Sequence, residues 1–314
     1  MRRFRVGRTY GIPIEVDLSL LLVLPLLVYA IATSVETSVA LLNIAGARID
    51  PTGLSMGATP WLLGVVAALG LFGGVLVHEF GHALVALRLG YGVDSISLWL
   101  FGGMARLSSL PDEAGDELAI AVAGPVGSVV VGIVAYAGFH LVPAGFEGIR
   151  FLLAYLAALN VFLAVFNMLP AFPMDGGRVL RALFAFQWSY PVATKRAADV
   201  GRTVAVLLGI FGLYIGSLIG VGLAIFLYLA ASSETHRVTT RAALTGIPVR
   251  EVTTPTVPSD DSAPTVEADT DALVALQRMR DLDVTRLVVV DDGRPIGDVT
   301  QTDLVSILDA AWRR

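Results

Sequence analysis

The chain has 314 residues, of which 55% are hydrophobic and only 16% charged, and its mean hydropathy is +0.73. Soluble domains average about 45–50% apolar and about 25% charged residues, so a disordered chain, a collagen-like repeat and a disulfide scaffold are excluded. The absence of cysteine rules out a thiolate zinc site and a catalytic thiol, and a net charge of −5 argues against nucleic-acid binding.

Charge divides the chain. Up to Glu234 there are 13 basic and 14 acidic residues; the last 80 residues carry 9 and 13. The first part reads as a membrane domain and the second as a soluble one. A spanning helix needs about 20 mostly apolar residues, and candidates fall near 16–33, 61–87, 118–142, 149–169, 201–215 and 217–232. The last two are short and tightly joined, as in a hairpin. The first apolar run is long and lacks a small-residue cleavage site, so no signal peptide is expected. Six spans put both termini on one side. Arg2, Arg3, Arg5 and Arg8, then Arg88 and Arg106, then Arg178, Arg181, Lys195 and Arg196 flank one face; Arg48 and Arg150 flank the other. That bias predicts cytoplasmic N- and C-termini.

Between the second and third spans, residues 92–107 alternate Ser95, Ser97 and Trp99 with Ile96, Leu98 and Leu100, which is strand periodicity. A turn is expected at Gly102-Gly103. The segment reads either as an amphipathic hairpin on the membrane interface or as an edge that pairs with an extended peptide.

The second span ends in LVHEFGHALVA. His78 and His82 are four apart and share a helix face, so both imidazoles can bind one metal ion. Glu79 stands beside them, placed to hold a water instead of the metal, in the H-E-x-x-H arrangement of zinc hydrolases. Each ionisable group at bilayer depth costs roughly 2.5–3.5 kcal/mol on insertion scales, so three together imply a task. A catalytic zinc takes three protein ligands and one open position. Asp175 is a candidate third ligand: Pro170 and Pro173 break the helix before it, and Gly176-Gly177 let the backbone turn after it. The alternative is that Asp175 only caps a helix over 176–186. Gly70, Gly73, Gly74 and Gly81 suit close helix packing. His140 and His236 are expected to be interfacial or surface residues.

HEFGH at 78–82, followed by NMLPAFPMDG from Asn167 to Gly176, resembles the site-2 protease family of intramembrane zinc metalloproteases, which pairs H-E-x-x-H with a later N-x-x-P-x-x-x-x-D-G. The resemblance covers residues 1–234. It implies one Zn2+ per chain held by His78, His82 and Asp175, with Glu79 as catalytic acid/base and Asn167 positioning substrate. AGPVGS at 123–128 resembles a further motif of the family, with Ser128 where asparagine often stands. The implied activity is hydrolysis of peptide bonds in or near transmembrane segments of membrane-anchored substrates, within the lipid bilayer of the cell membrane. The competing reading is a CBS-gated transporter or metal carrier, since intramembrane acids and histidines also mark ion paths. Glu79 separates the two: a transporter has no evident use for a carboxylate beside the ligand face.

The expected fold is therefore an α-helical polytopic membrane protein with about six transmembrane helices and a small membrane-edge β hairpin, a linker at 235–246, and a small α/β tail at 247–314. The tail resembles one CBS motif, with G-x-x-T-x-x-D at Gly297, Thr300 and Asp303. The resemblance implies that Thr300 and Asp303 contact an adenine nucleotide. CBS motifs pair, so a single one implies a homodimer through the tails; the alternative is a tail that docks and binds nothing.

Overall fold

Asp17 starts the first membrane helix. Its carboxylate accepts the Ser19 N–H at 2.9 Å and caps α1, Leu18–Thr33. Sixteen residues reach only about 24 Å, short of a bilayer core of about 30 Å. The chain then bends by 62° at Ser34 into α2, Val35–Ile44. In this computed structural model the described residues are 3–100, 102–109, 111, 113–254 and 263–312. Arg2 and the polar segment 259–262 lie outside them.

Among the described residues five helices are long and apolar enough to cross a membrane. They are α3 (Thr59–Arg88), α4 (Ala114–Leu141), α5 (Glu147–Asn167), and, after the shorter α6 (Asp175–Ala185), α7 (Tyr190–Tyr214) and α8 (Leu218–Leu244). The bent α1–α2 pair makes six when counted as one span. The last two are not the short hairpin that hydropathy predicts. α7 begins eleven residues earlier, at Tyr190 with Pro191 in its first turn, and its opening turns carry Lys195, Arg196, Asp199 and Arg202. α8 runs ten residues past Glu234. Polarity marks where these helices leave the apolar layer, while the backbone hydrogen-bond ladder continues. Residues 235–244, expected as linker, are thus helical.

The membrane-edge hairpin forms as β3 (Val93–Trp99) and β4 (Gly102–Leu107), antiparallel. Trp99 pairs with Gly102 and Leu98 with Gly103, so Gly102-Gly103 belong to the strand and not to the turn. A second hairpin joins it: β1 (Arg3–Thr9) and β2 (Ile12–Asp17), linked by Tyr10-Gly11 with positive φ at both, as a primed two-residue turn requires. β2 pairs β3 in parallel, giving the order β1-β2-β3-β4. β3 is therefore internal, and Ser95 and Ser97 are buried instead of facing water. β4 is the edge, and it packs on α3.

Close helix contacts occur where small residues allow them. A Cβ at Gly70 would meet Leu156, one at Gly74 would meet Asn160, and one at Gly81 would meet the Ala123 carbonyl; Gly73 faces open space. His140 ends α4 among Tyr136 and Phe139, their rings edge-on to it. The tail holds β5 (Thr265–Glu267), α9 (Ala272–Asp281), β6 (Arg286–Asp291), β7 (Arg294–Thr300) and α10 (Gln301–Trp312), with sheet order β5-β6-β7. Its core, including Val249, Leu276, Met279 and Leu287, closes over Leu244 at the end of α8.

Candidate metal centre

His78 and His82 lie on the inner face of α3, one turn apart and each under 5% exposed. Asp175 opens α6 in its first turn; the cap position is Met174, so the carboxylate is not spent on capping. The turn before it folds tightly back. A Cβ at Gly177 would meet the Phe172 nitrogen at 2.7 Å, and one at Gly176 would collide with the Met168 and Leu169 carbonyls. Alanine at either site would push the loop off the helix and carry Asp175 away.

The three donor atoms converge. His78 Nε2 and His82 Nε2 are 3.2 Å apart, and Asp175 Oδ2 lies 3.0 Å from the first and 3.2 Å from the second. Tetrahedral ligands at about 2.0 Å from zinc stand about 3.3 Å from each other. The near-equilateral triangle matches one face of such a tetrahedron, so these three residues would fit a zinc ion and could leave one position open. Among the described residues it is the one group of three His, Asp or Glu donors arranged to hold a metal ion.

The other ring nitrogens fix the tautomers. His82 Nδ1 lies 2.7 Å from the Ile120 carbonyl of α4. A carbonyl can only accept, so the proton of a neutral ring sits on Nδ1 and the Nε2 lone pair faces the triangle. His78 Nδ1 contacts Ser128 Oγ of α4 at 2.9 Å and is set the same way when it donates to that hydroxyl. α4 can approach this closely because of Gly124: a Cβ there would run into His82 Nε2 and stand 2.8 Å from His78 Nε2.

Glu79 points to the side. Its Oε2 accepts the Ala105 N–H of β4 at 2.8 Å, and a Cβ at Gly103 would strike its side chain. An N–H directed at Glu79 is directed away from β3, so the free edge of β4 faces the centre. Glu79, the three donors, Gly103, Ala105, Asn167 and Arg178 surround a cavity of about 160 Å³. Asn167 ends α5 and donates its amide to the Leu163 carbonyl at 2.9 Å. The Arg178 guanidinium approaches Asp175 Oδ1 at 4.0 Å from one turn along α6. The sequence reading brought His78, Glu79, His82, Asp175 and Asn167 to one place. It missed Gly103, the Ile120 carbonyl and the placement of Arg178, and it gave Ser128 no role. Only Arg178 had a signal, its i+3 spacing from Asp175.

Thr300 and Asp303 are also together, in a different way. Asp303 accepts the Thr300 N–H at 2.8 Å and its hydroxyl at 2.7 Å, and Thr300 Oγ1 accepts the Asp303 N–H at 3.2 Å. This reciprocal arrangement is a capping box at the start of α10.

The sequence matches Peptidase family M50 over residues 66–145 and 142–212 and a CBS domain over 249–310. It is 36% identical over 185 residues to a zinc metalloprotease of Methanocaldococcus jannaschii, covering 59% of this chain and 54% of that one. It is 32% identical over 263 residues to Rip3 of Mycobacterium tuberculosis, named as a candidate zinc metalloprotease, covering 79% of this chain and 63% of that one. The chain thus spans about half to two thirds of the curated relatives it matches. The solved site-2 protease of Methanocaldococcus jannaschii superposes with a TM-score of 0.51 at 30% identity, covering 74% of this chain and 95% of that one. A multi-pass helical architecture with a buried His-His-Asp cluster defines a membrane protein with a candidate metal centre. The chain belongs to the site-2 protease family, peptidase family M50, and carries a CBS domain at its C-terminal end.

Proposed function

We propose that the chain is an intramembrane zinc metalloendopeptidase that cuts membrane-anchored substrates in or near their transmembrane segments, releasing a regulatory fragment. The observation that carries this reading is the triangle of His78, His82 and Asp175 with Glu79 beside it and not in it. A zinc ion held there would polarise the scissile carbonyl and bring the pKa of a water toward about 7. Glu79 is placed to act as acid/base there: it would accept a proton from the attacking water and deliver it to the leaving amine. Its buried carboxylate is held in place by the Ala105 N–H. A transmembrane helix hides its amides in i to i−4 bonds and must unwind before attack. The outward edge of β4 can hold the unwound segment as an added strand beside Glu79. Asn167, which also lines the cavity, is assigned to substrate positioning. The alternative of a CBS-gated transporter or metal carrier leaves Glu79 and its N–H partner without a use.

The arginine bias supports cytoplasmic N- and C-termini. Catalysis is assigned to residues 1–234 and regulation to 247–314, joined by 235–246. A single CBS domain supports pairing of two chains through their tails. An adenine nucleotide at Thr300 and Asp303 would have to compete with the capping box, and docking of the tail on Leu244 supplies part of the packing that pairing would otherwise provide.

The test is cleavage of a panel of membrane-spanning helices by purified wild type and Glu79→Gln. The variant is expected to keep about one zinc per chain and to lose turnover by at least about a hundredfold. Wild-type turnover retained by Glu79→Gln would assign the base elsewhere. Asp175→Ala is expected to lower zinc content, and unchanged content would remove Asp175 from the ligand set.

A further inference from the structure

A second concave site lies where α8 leaves the apolar layer and meets α9. The groove holds about 870 Å³ and is lined by His236, Arg237 and Arg241 of α8 and by Gln277 and Arg280 of α9, with Thr240 in its wall. Arg237 and Arg241 are one turn apart on the same helix face, and Arg280 comes from the facing helix. Among the described residues no aspartate or glutamate lines the groove, although acidic residues outnumber basic ones in this part of the chain. Among the described residues none of the three arginines forms an ion pair. Arg241 and Arg280 stand in the last turns of their helices, where the helix dipole favours cations. That accounts for each position separately, not for three arginines lining one groove without an acidic partner among the described residues.

An independent observation concerns the wall of the same groove. Thr240 is 8% exposed, and its buried hydroxyl has no hydrogen-bond partner. Threonines elsewhere on this helix, Thr235 and Thr239, satisfy theirs on the carbonyl four residues back. A buried hydroxyl left unpaired is costly, and an anionic oxygen would satisfy it.

We propose that this groove binds a phosphate ester, with Arg237, Arg241 and Arg280 as its charge partners and Thr240 as a hydroxyl donor. Guanidinium groups match phosphate oxygens in a two-pronged fork. The phosphate can come from a soluble nucleotide or from an anionic lipid headgroup at the membrane exit of α8. The site is distinct from the capping box at Thr300 and Asp303.

The full chain in neutral detergent is titrated with ADP by calorimetry and, separately, with phosphatidylglycerol in mixed micelles against a phosphatidylcholine control. Saturable binding of one probe per chain is expected, weakened tenfold or more by Arg241→Gln or Arg280→Gln, several-fold by Thr240→Val, and not by Thr300→Ala. Both arginines are exposed, so these variants should fold as the wild type does. Binding of ADP identifies a soluble phosphate, and preference for phosphatidylglycerol over phosphatidylcholine a lipid one; either supports the site. No saturable binding of either probe, affinity unchanged in both arginine variants, or loss confined to Thr300→Ala overturns it.

Discussion

Gly124 and Ser128 act on the histidines from α4 in opposite ways, one by leaving room and the other by filling it. A methyl at Gly124 has nowhere to go except onto the two Nε2 atoms that face the metal. Gly124→Ala is therefore expected to lose zinc binding while keeping its helix content; stoichiometric zinc by elemental analysis would show that α4 can retreat. Ser128 acts more gently. Its hydroxyl orients His78 through Nδ1, and loss of such a partner ordinarily lowers metal affinity about 10–100-fold. Ser128→Ala should show that loss in competition with a chelator, and Ser128→Asn, which offers a side-chain oxygen, should recover part of it. An affinity within twofold of wild type for Ser128→Ala would mean that the His78 ring is held by packing alone.

At the scale of elements, α6 is fixed by Arg181. Its guanidinium donates to Glu117 of α4 at 2.5 and 2.9 Å and to Glu234 of α8 at 2.7 Å, with the rings of Phe172 and Tyr190 about 5 Å away. Arg181 and Glu117 are almost fully buried. Removing one partner of a buried pair leaves the other uncompensated, a loss of about 3–5 kcal/mol, whereas replacing both with apolar groups is often neutral or stabilising. Arg181→Met should therefore lower unfolding stability by that amount, and adding Glu117→Leu should restore most of it; a double variant no more stable than the single one would refute the pairing. Neither partner was legible as such, because Arg181 served in the sequence only as a count toward topology. The same limit explains β1 and β2. Arg3 and Arg5 alternate with Phe4 and Val6, a strand pattern hidden by their reading as flanking charges. Hydropathy located the five helices long and apolar enough to cross, and the first arm of the bent α1–α2 pair, because the bilayer imposes that pattern locally. It missed the ends of α7 and α8, where the helix outlasts the apolar layer. The candidate ligand and acid/base side chains were legible because a metal centre would constrain residue type and spacing within single segments, at 78–82 and 167–176. The carbonyl of Ile120 and the edge of β4 were not, since backbone atoms leave no mark in composition.

Over the whole molecule, the centre joins elements distant in sequence: α3 through His78 and His82, α6 through Asp175, and α4 through Ile120 and Ser128. A metal bound only by the folded arrangement stabilises it by mass action, by about 2.7 kcal/mol at a free concentration a hundred times its dissociation constant. For a domain of this size that corresponds to a rise of roughly 5–11 °C in unfolding temperature. The tail provides an internal control, because its core is built from Leu244, Val249, Leu276 and Leu287 and contains none of the three ligands. Stripping zinc from the full chain should lower the transition followed by a probe on α3 and leave one followed by a probe on α9 in place. Zinc restored to the wild type should reverse the change, and zinc added to Asp175→Ala should not. Equal shifts at both probes would mean that the tail and the membrane domain unfold as one unit through α8, and a zinc-dependent rise in Asp175→Ala would place the third ligand on another residue.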